Sequence, residues 1–303
     1  NVLNGSHYAY QQTLEQLTLT QAFFTKGLHK DNLPLQIAVV GPTQAGKSSI
    51  VNVLLQSTSA GVSPLAGYTI HPQGFCYDID VTACEQYLAE YFSPFMCSVP
   101  NQLNKSNYAC YSLSSTDTVT PYLPPSVLWD TPDFDSIDST VYREGVLKTV
   151  ALADMVILIV SKEKYADQSV WDMMKCIEPL RQPTLICVNK LNEGAESVVL
   201  ESLQEKWRDT RRDAFPQVLP LFYQKNTQIP EIAQSKKHVL FELAKKVQRE
   251  KQAHREQKLL QTYWQSWTAP LREEHVIYDA WQQLVDQVVE QSLSNYARDY
   301  LNH

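Results

Sequence analysis

Apolar runs of strand length alternate with helix-length segments between about residues 35 and 223, and only helical patterning is found on either side. This alternation predicts an α/β chain: a mostly parallel sheet with helices on both faces, plus α-helical N- and C-terminal extensions. A Gly-containing loop between the first apolar run and the helix after it supports the prediction, because it is the strand–loop–helix unit from which such sheets are built.

In chain order, residues 6–29 read as a helix with Leu14, Leu17, Phe24 and Leu28 broadly on one side, ended before Pro34. Strands are expected at about 35–40, 74–79, 126–130, 154–160, 184–188 and 218–223, separated by helices at about 47–56, 140–153, 168–180 and 196–213. The interval 80–125 is longer than a compact domain needs and is expected to hold a helix near 82–92 and a strand near 108–113. It is read as an insertion, with family-specific recognition and passive packing both open. Beyond residue 231 one long helix is expected over 231–266, an interruption at Pro270, and a second helix over 272–301 with Ile277, Trp281, Leu284, Val288 and Val289 at helical spacing. The domains expected are therefore an N-terminal helix at 1–33, an α/β domain at 34–230 and a helical extension at 231–303.

Hydrophobic content of 44% and charged content of 19% are those of a folded globular chain. The most apolar windows, such as Met155–Val160, are strand-sized and fall short of the ~20 residues a spanning helix needs. No signal peptide is recognisable, and a first residue of Asn1 rather than Met leaves open further segments at either end. Six cysteines without C-x-x-C spacing and seven scattered histidines argue against a structural metal site or a disulfide scaffold and predict free thiols in a reducing cytoplasm. The net charge of −7 argues against nucleic acid as a partner, although residues 236–258 carry eight Lys/Arg against three Glu. That basic run is read as a solvated helix face, or as a contact for the inner face of an anionic membrane, ribosomal RNA or an acidic protein.

The most specific feature is Gly41-Pro42-Thr43-Gln44-Ala45-Gly46-Lys47-Ser48, followed by Ser49, which fits G-x-x-x-x-G-K-[ST] after the strand Leu35–Val40. Such a loop curls so that successive N–H groups face the α- and β-phosphates, with the helix dipole behind them. Lys47 would reach the β/γ oxygens, and the Ser48 hydroxyl would ligate Mg²⁺. Two further runs follow at strand ends: Trp129-Asp130-Thr131-Pro132-Asp133-Phe134-Asp135, and Val188-Asn189-Lys190-Leu191-Asn192.

With three motifs in this order on these elements, the chain resembles P-loop GTPases of the translation-factor-related class, among their Era/TrmE-like and dynamin- or septin-like members, over about residues 35–226. The resemblance implies a P-loop G domain binding GTP/GDP with Mg²⁺. Nucleotide contacts would come from Gly41, Thr43, Gln44, Ala45, Gly46, Lys47, Ser48 and Ser49, and from Asn189, Lys190 and Asn192 at the base. Ser48, Thr69 and Asp130 would form the metal side, and Lys47 and Thr69 would act on the γ-phosphate. Thr58 is the competitor of Thr69 for the first switch, and Lys225 is a weak candidate to lie across the base.

Three positions depart from the family pattern. Asn192 replaces the aspartate that accepts from guanine N1–H and its 2-amino group, which points to retained but looser guanine binding and a better fit to xanthine. Asp133 replaces the glycine of D-x-x-G, placing a carboxylate where it would repel a triphosphate unless it turns away or meets the metal. Phe134 stands where many relatives place a water-orienting glutamine, so intrinsic hydrolysis is expected to be slow, with Asp135 and His71 as conceivable substitutes.

The leading expectation is a Mg²⁺-dependent GTP-binding switch that hydrolyses GTP slowly, with a protein partner or a second copy engaged through the helical extensions. The alternatives are a nucleotide-binding scaffold with negligible hydrolysis and a P-loop ATPase or phosphotransferase. A dynamin-like membrane role is disfavoured because the 231–301 extension is short for a stalk.

Overall fold

The structure is a computed structural model that describes residues 2–61, 69–98, 108–134, 140–191, 194, 196–222, 232 and 236–301. The chain divides into two compact units, Asn1–Gln257 and Lys258–His303.

The first unit is built on an eight-stranded sheet: β1 (Leu35–Val40), β2 (Gln73–Tyr77), β3 (Met96–Cys97), β4 (Cys110–Thr116), β5 (Ser126–Asp130), β6 (Met155–Ser161), β7 (Thr184–Leu191) and β8 (Gln217–Phe222). The spatial order is β3-β4-β2-β5-β1-β6-β7-β8. Every neighbouring pair is parallel except β2 with β5, so the sheet is mostly parallel as expected. The 80–125 interval holds the expected helix and a strand at 110–116, and β4 and β3 extend the sheet beyond β2.

The helices are α1 (Val2–His29), α2 (Lys47–Leu55), α3 (Thr82–Phe92), α4 (Thr140–Leu152), α5 (Gln168–Ile177), α6 (Glu196–Thr210), α7 (Val239–Ala244) and α8 (Gln252–Leu301). Central strands are mostly apolar because helices cover both faces; all seven residues of β6 are buried. Ile37 and Val39 of β1 pack with Ile50 and Leu54 of α2 and with Leu240 and Leu243 of α7. Beside them on β1, buried Gln36 accepts a 2.8 Å hydrogen bond from the Trp129 indole, which satisfies a polar pair inside the core.

The region after residue 231 differs from the helix pattern expected. The chain breaks between α7 and α8, where Gln248 takes φ −126° and ψ 76°, so no single helix spans 231–266. Pro270 does not interrupt α8. It removes one backbone donor, and the long flanking runs of helical residues continue the helix across it. The basic run is partly absorbed in the first unit: Arg249 is tied into an internal ion pair, and Lys245 pairs with Glu242. Within the second unit α8 exposes Ile277, Trp281, Leu284, Val288 and Val289. No described helix is long and apolar enough to cross a membrane.

All six cysteines are free thiols; Cys76, Cys84, Cys110 and Cys187 are buried, Cys176 is half-buried and Cys97 is exposed.

Candidate functional site

The loop 41–46 leaves the end of β1 and turns directly into α2. A Cβ at Gly41 would lie 2.3 Å from the Ile159 carbonyl oxygen, so only glycine lets β1 pass so close to β6. Gly46 has φ +95°, and a Cβ there would meet Asn189 Nδ2 at 2.3 Å. Gln44 is also left-handed, at φ 61°. Gly46 caps α2 without a side-chain hydrogen bond, so the opening amides of the helix carry no capping side chain. An anion at this helix start would meet backbone donors and the positive end of the dipole.

Lys47 is buried and folds back over the loop, donating to the Gly41 carbonyl at 3.0 Å and the Pro42 carbonyl at 3.4 Å. Its third partner is the Asp133 carboxylate. The pairing was not legible in the sequence, which showed only that a carboxylate stood near the phosphate loop.

Ser48, Thr69 and Asp130 converge from three elements. The Ser48 hydroxyl donates to Asp130 Oδ2 at 2.6 Å and lies 3.2 Å from the Thr69 hydroxyl. Asp130 is fully buried, and its Oδ1 has no hydrogen-bond partner among the described residues. Burial pushes its carboxyl up to about 6, against the pull of the Ser48 hydrogen bond and Lys47, while Asp133 adds to the rise. A buried, orphaned carboxylate oxygen beside two hydroxyls is an arrangement of hard oxygen donors that fits Mg²⁺. Thr58 lies exposed in the turn after α2.

At the end of β7, Asn189 donates to the Ala45 carbonyl at 3.0 Å and accepts from the Lys190 N–H at 2.9 Å. Lys190, at φ 58°, donates to the Gln44 carbonyl at 2.8 Å. Both residues thereby brace the phosphate loop. Phe134 is buried, as is His71. Asn192, Asp135 and Lys225 lie outside the described residues.

A mostly parallel sheet with a G-x-x-x-x-G-K-S loop at the end of β1 defines a P-loop nucleotide-binding protein. The chain belongs to the 50S ribosome-binding GTPase family, whose model matches residues 36–190. Binding of GTP and GTPase function are therefore assigned at the level of the family. None of the curated proteins matches the chain in sequence. Among solved structures, it is similar to a member of an oligomerised bacterial dynamin pair described as sensing and tethering membranes, at 16% identity and TM-score 0.47, covering 95% of this chain and 60% of that one. It is also similar to Era from Aquifex aeolicus bound to GDP and AlF4⁻, at 17% identity and TM-score 0.43, covering 70% and 57%. An Era complex with MgGDPNP and a segment of 16S ribosomal RNA gives 18% identity and TM-score 0.43, covering 70% and 57%. The chain spans about 60% of the length of the dynamin structure.

One expectation is corrected by these findings. The net negative charge argued against nucleic acid as a partner, but the matched family is described as ribosome-binding. Net charge averages over the whole chain, whereas nucleic acid is met by local patches, so the average excludes nothing of this kind.

Proposed function

We propose that the protein is a Mg²⁺-dependent GTP-binding switch with slow intrinsic hydrolysis. The observation that carries this reading is the convergence of Ser48, Thr69 and the orphaned Asp130 oxygen beside the phosphate loop. Mg²⁺ would supply charge neutralisation for the phosphates and a fixed point for the first switch. Ser48 and Thr69 would bind it through their hydroxyls and Asp130 would stand on its outer side, while Lys47 and the loop amides would hold the phosphates. Ordering of Thr69 by a terminal phosphate would be the step that converts nucleotide state into partner affinity. Asn189 and Lys190 would set the base pocket by holding the loop, with Asn192 relaxing guanine selectivity. Six free thiols, four of them buried, support the cytoplasm as the site of action.

The test is displacement of a fluorescent GDP analogue, with Mg²⁺, by GDP, xanthosine diphosphate and ADP, with Lys47→Ala as control. GDP ahead of ADP, lost in Lys47→Ala, is the expected result; equal competition by ADP would end the guanine reading. A second reading, a nucleotide-binding scaffold with negligible hydrolysis, is favoured by one observation: Phe134 is buried where a water-orienting side chain would be needed. Single-turnover incubation with GTP separates the two, because a scaffold leaves the triphosphate intact.

A further inference from the structure

Asp133 follows a turn that is pinned in place. The Thr131 N–H and hydroxyl both donate to the Val39 carbonyl, at 3.3 and 2.7 Å, and Pro132 limits the backbone between them and Asp133. The turn after β5 is thus fastened to the end of β1, beside the loop that carries Lys47. Both charged partners are withdrawn from water: the Lys47 side chain is 4% exposed and that of Asp133 is 10% exposed. With the Gly41 and Pro42 carbonyls and the Asp133 carboxylate, all three ammonium protons of Lys47 have acceptors within the chain.

An ammonium in this loop serves to meet the outer phosphates of a bound nucleotide. The carboxylate already on it is an anion held at short range in a poorly hydrated place, where like charges repel most strongly. A diphosphate places less charge against Lys47 than a triphosphate, whose terminal phosphoryl group must share or take the ammonium from Asp133. Building on the GTP-binding reading above, we propose that Asp133 is an internal counter-anion for Lys47 that the terminal phosphoryl group must displace, so that it biases the site toward the diphosphate. The carboxylate has two consequences that can be measured separately. It stabilises the nucleotide-free protein by neutralising a buried ammonium, and it weakens the triphosphate selectively.

The experiment measures dissociation constants for a fluorescent GDP and a non-hydrolysable fluorescent GTP analogue, with Mg²⁺, on the full chain and on Asp133→Asn, Asp133→Gly and Lys47→Ala, together with thermal unfolding without nucleotide. Removing the charge in Asp133→Asn should shift the GTP-to-GDP affinity ratio toward the triphosphate by about tenfold or more, mostly through tighter triphosphate binding. The nucleotide-free Asp133→Asn protein should melt below wild type, and the triphosphate analogue should close that gap. Asp133→Gly, which removes the side chain altogether, should shift the ratio the same way. An unchanged ratio in both variants, with Lys47-dependent binding intact, overturns the role of Asp133 while leaving the GTP-binding reading standing. Binding unaffected by Lys47→Ala, or none to any form, removes that reading and this one with it.

Discussion

Two clusters of charged side chains sit at opposite ends of the central strands, and they differ in how completely the chain satisfies them. At the start of β6, Asp154 uses every lone pair direction available to it: Oδ1 meets Lys26 at 2.9 Å and Arg249 at 3.2 Å, and Oδ2 meets the Gln36 N–H at 2.9 Å and Arg249 again. Its cations are equally occupied, Lys26 by the Ala153 carbonyl and Arg249 by the carbonyls of Lys30, Leu33 and Pro34. At the ends of β1 and β5, Lys47 is paired with Asp133, but neighbouring Asp130 keeps a buried oxygen without a described partner. The complete network ties α1 and the segment before α8 to the base of the sheet. The incomplete one leaves an oxygen open for the cation proposed above.

This contrast is broken most forcefully at the complete end. Asp154→Ala should cost about 3–5 kcal/mol of stability in urea unfolding, because Lys26 would be left buried, and Arg249 half-buried, without their counter-charge. Burial pushes the Asp154 carboxyl up, but Lys26 and Arg249 outweigh it and hold the group below the usual carboxylate range. A depressed folded-state value gives stability that is full above the unfolded value of 3.8 and lost as pH falls through the lower folded one. The gap between wild type and Asp154→Ala should therefore narrow in melts taken progressively below about pH 4.

The opposite sign is expected at the incomplete end. Asp130 is lifted from 3.8 to about 6, so without Mg²⁺ or nucleotide its charge penalises the fold increasingly as pH rises between those values. In EDTA at pH 7.5, Asp130→Asn should raise stability by roughly 1–3 kcal/mol, an advantage that disappears below about pH 4. The same variant should lose the stabilisation that Mg²⁺ with GDP gives the wild type. If Asp130→Asn instead destabilises in EDTA at pH 7.5, the carboxylate is serving the fold, and the contrast between the two ends fails.

The smallest effect should come from the brace on the phosphate loop. Asn189→Ala removes the bond to the Ala45 carbonyl. It should weaken GDP binding by about 1 kcal/mol, some fivefold, in a displacement assay. Its melting temperature should stay near that of wild type.

Much of this arrangement was legible beforehand for a local reason. Apolar runs of strand length and helical periodicity placed Leu35–Val40, Ser126–Asp130 and Lys47–Leu55 nearly to the residue, because central strands and the helix on them are apolar wherever they are covered. The resemblance to P-loop GTPases groups Ser48, Thr69 and Asp130, and the structure brings these three side chains together; their role toward a metal belongs to the proposed function. Beyond residue 231 the same reasoning failed. The polar stretch around Arg249 looks like a continuing exposed helix, yet its guanidinium is recruited by carbonyls and a carboxylate far away in the chain, and the helix breaks there.

By itself, then, the sequence determined the order of strands and helices between residues 35 and 222 apart from the short β3, the phosphate loop and the three departures at Asp133, Phe134 and Asn192, because those are properties of neighbouring residues. Only the tertiary structure decided that β2 runs antiparallel to β5, that Asp133 meets Lys47 and that Asp154 gathers Lys26 and Arg249. These are pairings between distant segments, and their energies depend on burial and on which charge lies within a few ångströms, which no local pattern records.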